Sequence, residues 1–361
     1  ERFRKMHEIF PSHRVARGDH VHELPAGPAL APRWQDDTSV TDYMAANHIA
    51  GVIVLVDGRI HLEEYAPGVD ENTLWTSFSV AKSITSLLLG VALDEGHVDS
   101  LDDPLADYIP ALADSEYARV TVRELLTMTS GVAWDEDYAD ADSDVAQMYM
   151  QPCERDEAHI VTYMKDLPRA HPAGTRFNYS TGETDLLGIL IEQATGLSLA
   201  EYLSGSVWRP FGMAHEAWWL ADECDGSTIG GSGLSATLSD YARLGQFMLD
   251  GAELNGEPVV AGAWHDDATR LLQPVDESGD DGDQGYGYLW WINADGSYQA
   301  AGIFGQLVHI DPARQLVIAQ IAAWPEAGSD ALVAERRRFV QAVKRSVDEH
   351  AAVFVDEWQD D

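Results

Sequence analysis

Ser79-Val80-Ala81-Lys82 sets a hydroxyl and an amine three residues apart. Side chains at that spacing share one helix face with Cβ atoms ~5–6 Å apart, so the Lys82 amine reaches the Ser79 hydroxyl if the segment is helical. A serine hydroxyl is a weak nucleophile unless a base takes its proton. A buried lysine becomes such a base because desolvation disfavours the ammonium form. The residues that follow favour this setting: Ile84, Leu87, Leu88 and Val91 recur at helical spacing in the most apolar helical pattern of the chain. The chain keeps only four lysines, Lys5, Lys82, Lys165 and Lys344. One of them lies here, which argues against a chance pair on a solvated helix. The chemistry such a pair supports is acyl transfer to Ser79 with Lys82 as base.

Other reactive patterns fit less well. No serine has the GxSxG spacing of a strand-to-helix nucleophile turn, and no HExxH segment offers a zinc site. His20 and His22 form an HxH pair with His7 and His13 nearby, which reads as a flexible, solvated N-terminal tail rather than a metal site. Cys153 and Cys224 lack CxxC spacing and are too few for a disulfide framework, so free buried thiols are expected. The run Asp276 to Asp283 reads as a solvated acidic loop, lacking the Glu that closes a calcium loop. No metal and no organic cofactor is implied.

The elements that must hold the pair come from both ends of the chain. Gly51 to Val56 and Arg59 to Tyr65 flank the Asp57-Gly58 turn, a strong hairpin signal. Tyr286 to Asn293, Tyr298 to Ile310 and Gln315 to Ala323 read as three more strands, followed by helical periodicity from Ala331 to Glu349. Between the two ends, helical segments open on polar caps, as at Thr121-Val122-Arg123-Glu124, and stop at Gly or Pro, as at Thr184 to Thr195 before Gly196. The expected fold class is α/β in the α+β sense: a five-stranded antiparallel sheet flanked by helices, with an inserted mostly helical domain. Residues 1–70 plus 285–361 would form the sheet domain and 71–284 the helical domain, with the active site in the cleft between them.

With 61 acidic and 23 basic residues, the chain carries a formal charge of −38. That excess argues against nucleic acid and anionic membrane surfaces as partners. The hydrophobic fraction of 45% is ordinary for a globular protein, so the charge belongs to the surface. Such a surface repels itself in dilute buffer. Salt near 1 M shortens the Debye length to ~3 Å and relieves that cost, so a halophilic source is expected. Leu87 to Leu93, the longest strongly apolar stretch, is too short to span a bilayer, and Glu1 to Phe10 lacks the pattern of a leader. A cytoplasmic location is expected; a trimmed leader and a homodimer are both compatible with the sequence.

The stretch Thr76 to Gly90 resembles the SxxK motif of the serine β-lactamase and penicillin-binding-protein superfamily, and the chain is more narrowly similar to its 6-aminohexanoate-dimer hydrolase and family VIII carboxylesterase branch. Further matches follow in order at Leu101 to Pro104, Leu125 to Tyr138, Phe177 to Gly188, Gly230 to Gly245 and Tyr286 to Gln306. The resemblance implies a serine β-lactamase-like fold, with Ser79 as acylated nucleophile, Lys82 as base and Tyr179 sharing proton transfer. It implies an oxyanion hole from the backbone amides of Ser79 and Ile303. Tyr138, Thr181, Gly302 and Trp290 become candidate substrate contacts.

Two departures narrow the substrate. The Lys-Thr-Gly motif that holds an antibiotic carboxylate in β-lactamases falls on Ala300-Ala301-Gly302, which supplies no charge. Thr181 stands where many relatives carry Asn. The implied activity is therefore hydrolysis of small carboxylic esters or linear amides of the 6-aminohexanoate type. Weak β-lactamase or D-amino peptidase activity is the alternative, and a non-catalytic protein that binds peptide or cell-wall fragments is the alternative of another class.

Overall fold

The computed structural model describes residues 2–32, 34, 36–153, 157–275 and 283–357. Its centre is an antiparallel sheet with spatial order Arg59–Tyr65, Ile49–Val56, Leu316–Ala322, Gln306–Asp311, Tyr298–Gly302, Trp291–Asn293, Asp283–Tyr286, Gln273–Pro274. The five expected runs all lie in this sheet, which has eight strands among the described residues. The difference has a local cause in two of those runs. The run 286–293 breaks where the chain turns between Tyr286 and Trp291, and these two residues then pair with each other. The run 298–310 folds back on itself through a tight turn at Ile303–Gly305, so Tyr298 pairs with Ile310. Apolar alternation alone does not reveal such turns.

Each strand alternates between two cores. Ile53, Leu55, Val308, Val317 and Ala319 face the helices Val80–Asp94 and Leu238–Leu249. Val52, Val54, Leu307, Leu316 and Ile318 face Val40–Ala46 and the long helix Asp330–Glu357, whose Phe339 and Val343 are fully buried as the periodicity predicts. Gly245 permits the closest of these contacts: a Cβ there would sit 2.5 Å from Val317 Cγ1. The helix Val80–Asp94 is buried on every side from Val80 to Ala92, which suits a helix apolar all round.

A second sheet of four short strands joins Ser12–Val15, Ala217–Leu220, Leu234–Ala236 and Trp75–Thr76. It leads the chain directly from Thr76 into Ser79. Its edge strand corrects the expectation of a flexible histidine tail, because the segment is packed in place. His22 N–H donates to Gly212 O at 2.8 Å, the His22 ring stacks on Phe211, and His7 stacks on Trp218. The acidic run 276–283 lies outside the described residues except for Asp283, which begins a strand. Among the described residues no helix is long and apolar enough to cross a membrane.

The free-thiol expectation is also corrected. Cys153 and Cys224 form a disulfide, with Cα atoms 5.2 Å apart across a sequence separation of 71. Cys153 is exposed and Cys224 half-buried. Their proximity is created by tertiary packing, which sequence spacing does not encode.

Candidate active site

Ser79 occupies the N-cap position of the helix Val80–Asp94, and Lys82 lies one turn in. The Lys82 side chain is 1% exposed, and its Nζ reaches three oxygens: Ser79 Oγ at 3.0 Å, Thr181 Oγ1 at 2.9 Å and Gly231 O at 2.8 Å. The predicted contact between hydroxyl and amine is therefore present, and two other segments complete it. Thr181 opens the helix Thr181–Thr195, capped by Ser180, and so starts earlier than the apolar periodicity indicates. Gly231 lies in the glycine-rich stretch that precedes Leu234–Ala236.

Two carboxylates stand one step behind the amine. Glu136 accepts the Thr181 backbone N–H at 2.9 Å and the Thr181 hydroxyl, together with the Trp134 indole N–H and the Tyr138 hydroxyl. Asp185 accepts the Gly231 N–H at 2.7 Å and the Tyr149 hydroxyl at 3.0 Å. Neither carboxylate was expected from the sequence. Glu136 sits within the matched stretch Leu125 to Tyr138, where only Tyr138 drew notice, and Asp185 in an apolar helical run; an acidic residue on the buried face of such a run is the signal that could have found it. Burial pushes the Lys82 ammonium down to about 8, while the charges of Glu136 and Asp185 pull it upward. Burial pushes the Asp185 carboxyl up to about 7 against its hydrogen bond from Gly231 and the attraction of Lys82.

As an ammonium, Lys82 gives one N–H to each of the three oxygens; the neutral amine divides these contacts differently. The Thr181 hydroxyl gives its hydrogen to Glu136, so it meets Lys82 as an acceptor, and Gly231 O is an acceptor by nature. A neutral amine has two N–H donors and one lone pair. The two donors are taken by Thr181 and Gly231, which leaves the lone pair for the Ser79 O–H.

The remaining expected residues are distributed unevenly. Lys82 Nζ lies 5.1 Å from the centre of the Tyr179 ring, which stacks on Trp291 at 5.6 Å. Ile303, Tyr138 and Thr181 line the same cavity as Ser79. Gly302 passes so close to the start of the Ser79 helix that a Cβ there would lie 2.5 Å from Ser77 O and 3.2 Å from Ser79 N. Trp290 does not join this group. It is 4% exposed, packs edge-on against Tyr298 in the core, and contributes no surface to the cavity, whereas its neighbour Trp291 supports Tyr179.

Backbone geometry beside Ser79 and Ile303 is unusual in matching ways. Phe78 and Phe304 have φ of +44° and +60°, a region side chains with a Cβ seldom adopt. Their rings pack 5.1 Å apart, and Phe3 closes a cluster on both, at 5.1 and 5.2 Å. The cavity in front encloses about 480 Å³, the size of a small-molecule site. Phe10, Leu220 and Ile229 give it apolar surface, Asp222 and Glu223 give it charge, and no arginine lines it among the described residues.

Residues 37–342 match the model of the beta-lactamase family. The chain belongs to that family. It is 28% identical over 341 residues to the 6-aminohexanoate-dimer hydrolase of Paenarthrobacter ureafaciens, covering 90% of this chain and 85% of the relative. Among solved structures, a Bacillus anthracis protein assigned as a 6-aminohexanoate-dimer hydrolase superposes with a TM-score of 0.81 at 24% identity, covering 95% of this chain and 93% of the other. A family VIII carboxylesterase superposes with a TM-score of 0.63 at 17% identity, over 85% of this chain and 96% of the other. At these identities the structural matches speak for the fold, which is the serine β-lactamase-like fold expected from the motifs.

Proposed function

We propose that the protein is a serine hydrolase that cleaves small carboxylic esters or linear amides through an acyl-enzyme on Ser79. The observation that carries this reading is the three-oxygen setting of Lys82, in which Ser79 is the contact left to give a proton once the amine is neutral. Lys82 takes the Ser79 proton as Oγ attacks the carbonyl carbon. The oxyanion is held by the amides of Ser79 and Ile303, on two backbone segments that Gly302 brings together. Tyr179, beside the Lys82 amine, passes the proton to the leaving alcohol or amine. Water then attacks the acyl-enzyme and restores Ser79.

The active site lies in a cleft between a sheet part, residues 1–70 with 285–361, and a mostly helical part, residues 71–284, which also lends Gln273–Pro274 to the central sheet and three short strands to the second. Family membership supports a hydrolytic role, and the names of the similar proteins support esters and aminohexanoate-type amides as the bonds to try first. The buried Ala300 supplies no cation for a carboxylate, which favours such substrates over β-lactams. A small-molecule substrate, a cytoplasmic location and a salt-rich habitat complete the proposal.

The test is mass spectrometry of folded protein after exposure to a fluorophosphonate. A single adduct on the peptide carrying Ser79, absent from Ser79→Ala, is expected; an unlabelled Ser79 overturns the reading. Turnover of p-nitrophenyl esters, aminohexanoate dimer and nitrocefin, measured side by side, ranks the substrate classes.

A further inference from the structure

A second cavity, of about 360 Å³, lies on the face of the central sheet turned away from Ser79, between the strands Tyr298–Gly302 and Gln306–Asp311 and the helix Asp330–Glu357. Most of that face is apolar, with Val52, Val54, Leu316 and Ile318 packed in one core with Phe339 and Val343. At this end the pattern breaks. His309 follows Leu307 at strand spacing and pairs across the ladder with Gln299, so both side chains stand on the helix side of the sheet. The helix meets them with Arg336 and Lys344, and all four residues are 4% exposed or less.

Arg336, Arg337 and Lys344 line this cavity against a single carboxylate, Asp295, among the described residues. A surplus of two positive charges is thus concentrated in one concave wall of a chain whose formal charge is −38. Asp311, 3.3 Å from Lys344, is balanced by Arg314 at 2.9 Å. The Arg336 guanidinium is held in orientation, since its Nη1 donates to Gln306 O at 3.2 Å and the group lies 5.1 Å from the Trp324 ring centre. Such a setting attracts an anion more strongly than an exposed patch does, because solvent screens it less.

His309 adds a second demand. Its Nδ1 lies 2.9 Å from Gln299 Oε1, and an amide oxygen only accepts, so Nδ1 carries the hydrogen and Nε2 keeps a lone pair. Nε2 is buried with no hydrogen-bond partner among the described residues. Burial, reinforced by the charge of Lys344 and opposed by Asp311 and Asp295, pushes the imidazole down to about 3, so the ring is neutral and the lone pair persists. A buried acceptor calls for an O–H or N–H donor. A ligand ammonium would meet the surplus of positive charge, whereas a hydroxyl would not.

We propose that this cavity binds a small organic anion bearing a hydroxyl group, its oxyanion held by Arg336, Arg337 and Lys344 and its hydroxyl donating to His309 Nε2. A guanidinium presents paired N–H groups that match the oxygens of a carboxylate or a phosphate. The two oxyanions share this chemistry, and the ligand series below separates them.

The test is calorimetric titration and thermal unfolding of the full chain with malate and with succinate, dicarboxylates that differ by one hydroxyl, at ionic strength fixed with chloride. Malate is expected to raise the thermal midpoint above the chloride control and to bind about 3–10-fold more tightly than succinate, the contribution of one buried hydrogen bond. Glycerol phosphate against ethyl phosphate makes the same comparison for a phosphate, and the tighter hydroxylated member names the oxyanion. His309→Phe removes the acceptor and should abolish the preference for the hydroxylated member of each pair, with circular dichroism reporting the fold. Arg337→Gln, at an exposed position, should weaken both members of a pair alike, by about 2–5-fold. If His309→Phe does not fold, Arg337→Gln still locates the site, and unchanged affinity in that variant overturns the proposal. So does a thermal midpoint no higher with any of the four anions than in chloride, equal affinity within both pairs, or a hydroxyl preference that survives in folded His309→Phe.

Discussion

Two of the four lysines are buried, and they are buried differently. Lys82 and Lys344 are 1% and 4% exposed, so each has given up nearly all of its hydration. Lys344, on the helix Asp330–Glu357, contacts carboxylates directly: Asp295 at 2.7 Å and Asp311 at 3.3 Å, with Ser297 Oγ at 3.1 Å. Burial opposes the Asp295 charge, yet hydrogen bonds from Lys344 and Ser297 hold its carboxyl well below the usual range. Lys82 instead touches only neutral oxygens, and its carboxylates act through Thr181 and the Gly231 peptide. Direct ion pairing fixes a proton in place, whereas neutral first contacts with charge one step removed leave it mobile. The first arrangement pins a helix to a sheet, and the second makes a base.

Removing each lysine should separate these roles. Lys82→Ala is expected to lower ester kcat/KM by about 10²–10⁴-fold, the range of a positioned general base, with circular dichroism unchanged. Activity equal to the parent at neutral pH would reject Lys82 as base. Lys344→Met should leave kcat/KM of the folded protein alone and cost about 1 kcal/mol in denaturant unfolding, because the Asp295 carboxylate it unpairs is 43% exposed and can rehydrate. The buried Asp311 keeps a partner, since Arg314 still reaches it at 2.9 Å. A neutral Lys344→Met would mean that the pair only breaks even with packed apolar atoms.

The difference between the two lysines was half legible in the sequence. Lys82 could be singled out because Ser79 lies one helical turn away inside an apolar pattern, and both facts are local. Thr181 and the stretch from Gly230 stood out by resemblance, but not as acceptors for Lys82, because they are brought in by segments 99 and 149 residues distant. Lys344 gave no signal, since its partners lie in two strand-end turns. The same division runs through the fold: the Asp57-Gly58 hairpin and the helix after Ser79 follow from short-range patterns, while the Cys153–Cys224 bond and the burial of Trp290 depend on which distant surfaces meet. Trp290 and Trp291 show the limit most sharply. Adjacent strand residues face opposite sides, but only the packed structure decides which ring supports Tyr179.

The pH dependence sharpens the comparison with a smaller effect. Lys82 acts as base only when neutral, so kcat/KM should rise with pH through about 8, the value to which burial lowers it. Glu136→Gln removes a negative charge that favours the ammonium, so less alkaline solution should suffice to deprotonate Lys82. The midpoint of the rise is then expected to move toward lower pH. Its height should also fall, because the amide no longer takes the Thr181 hydroxyl proton in the same way; the midpoint is therefore the quantity to compare. A midpoint that stays fixed or moves toward alkaline pH would show that Glu136 is not electrically coupled to the base.

Salt should act least on both buried lysines and most on what surrounds them. At 0.1 M the Debye length is ~10 Å and at 1 M ~3 Å, so repulsion among exposed carboxylates is screened across that interval while contacts inside the protein are not. The thermal midpoint and ester turnover are both expected to rise over the series. The stability gap between the parent and Lys344→Met should narrow only modestly, because Asp311 is sheltered and only the half-exposed Asp295 is open to screening. The pH midpoint of kcat/KM should likewise move little, because Glu136 and Asp185 reach Lys82 through protein rather than solvent. If the pH midpoint instead tracked salt as strongly as the thermal midpoint did, Lys82 would be responding to the −38 surface charge, and neutral first contacts would not be what frees its proton.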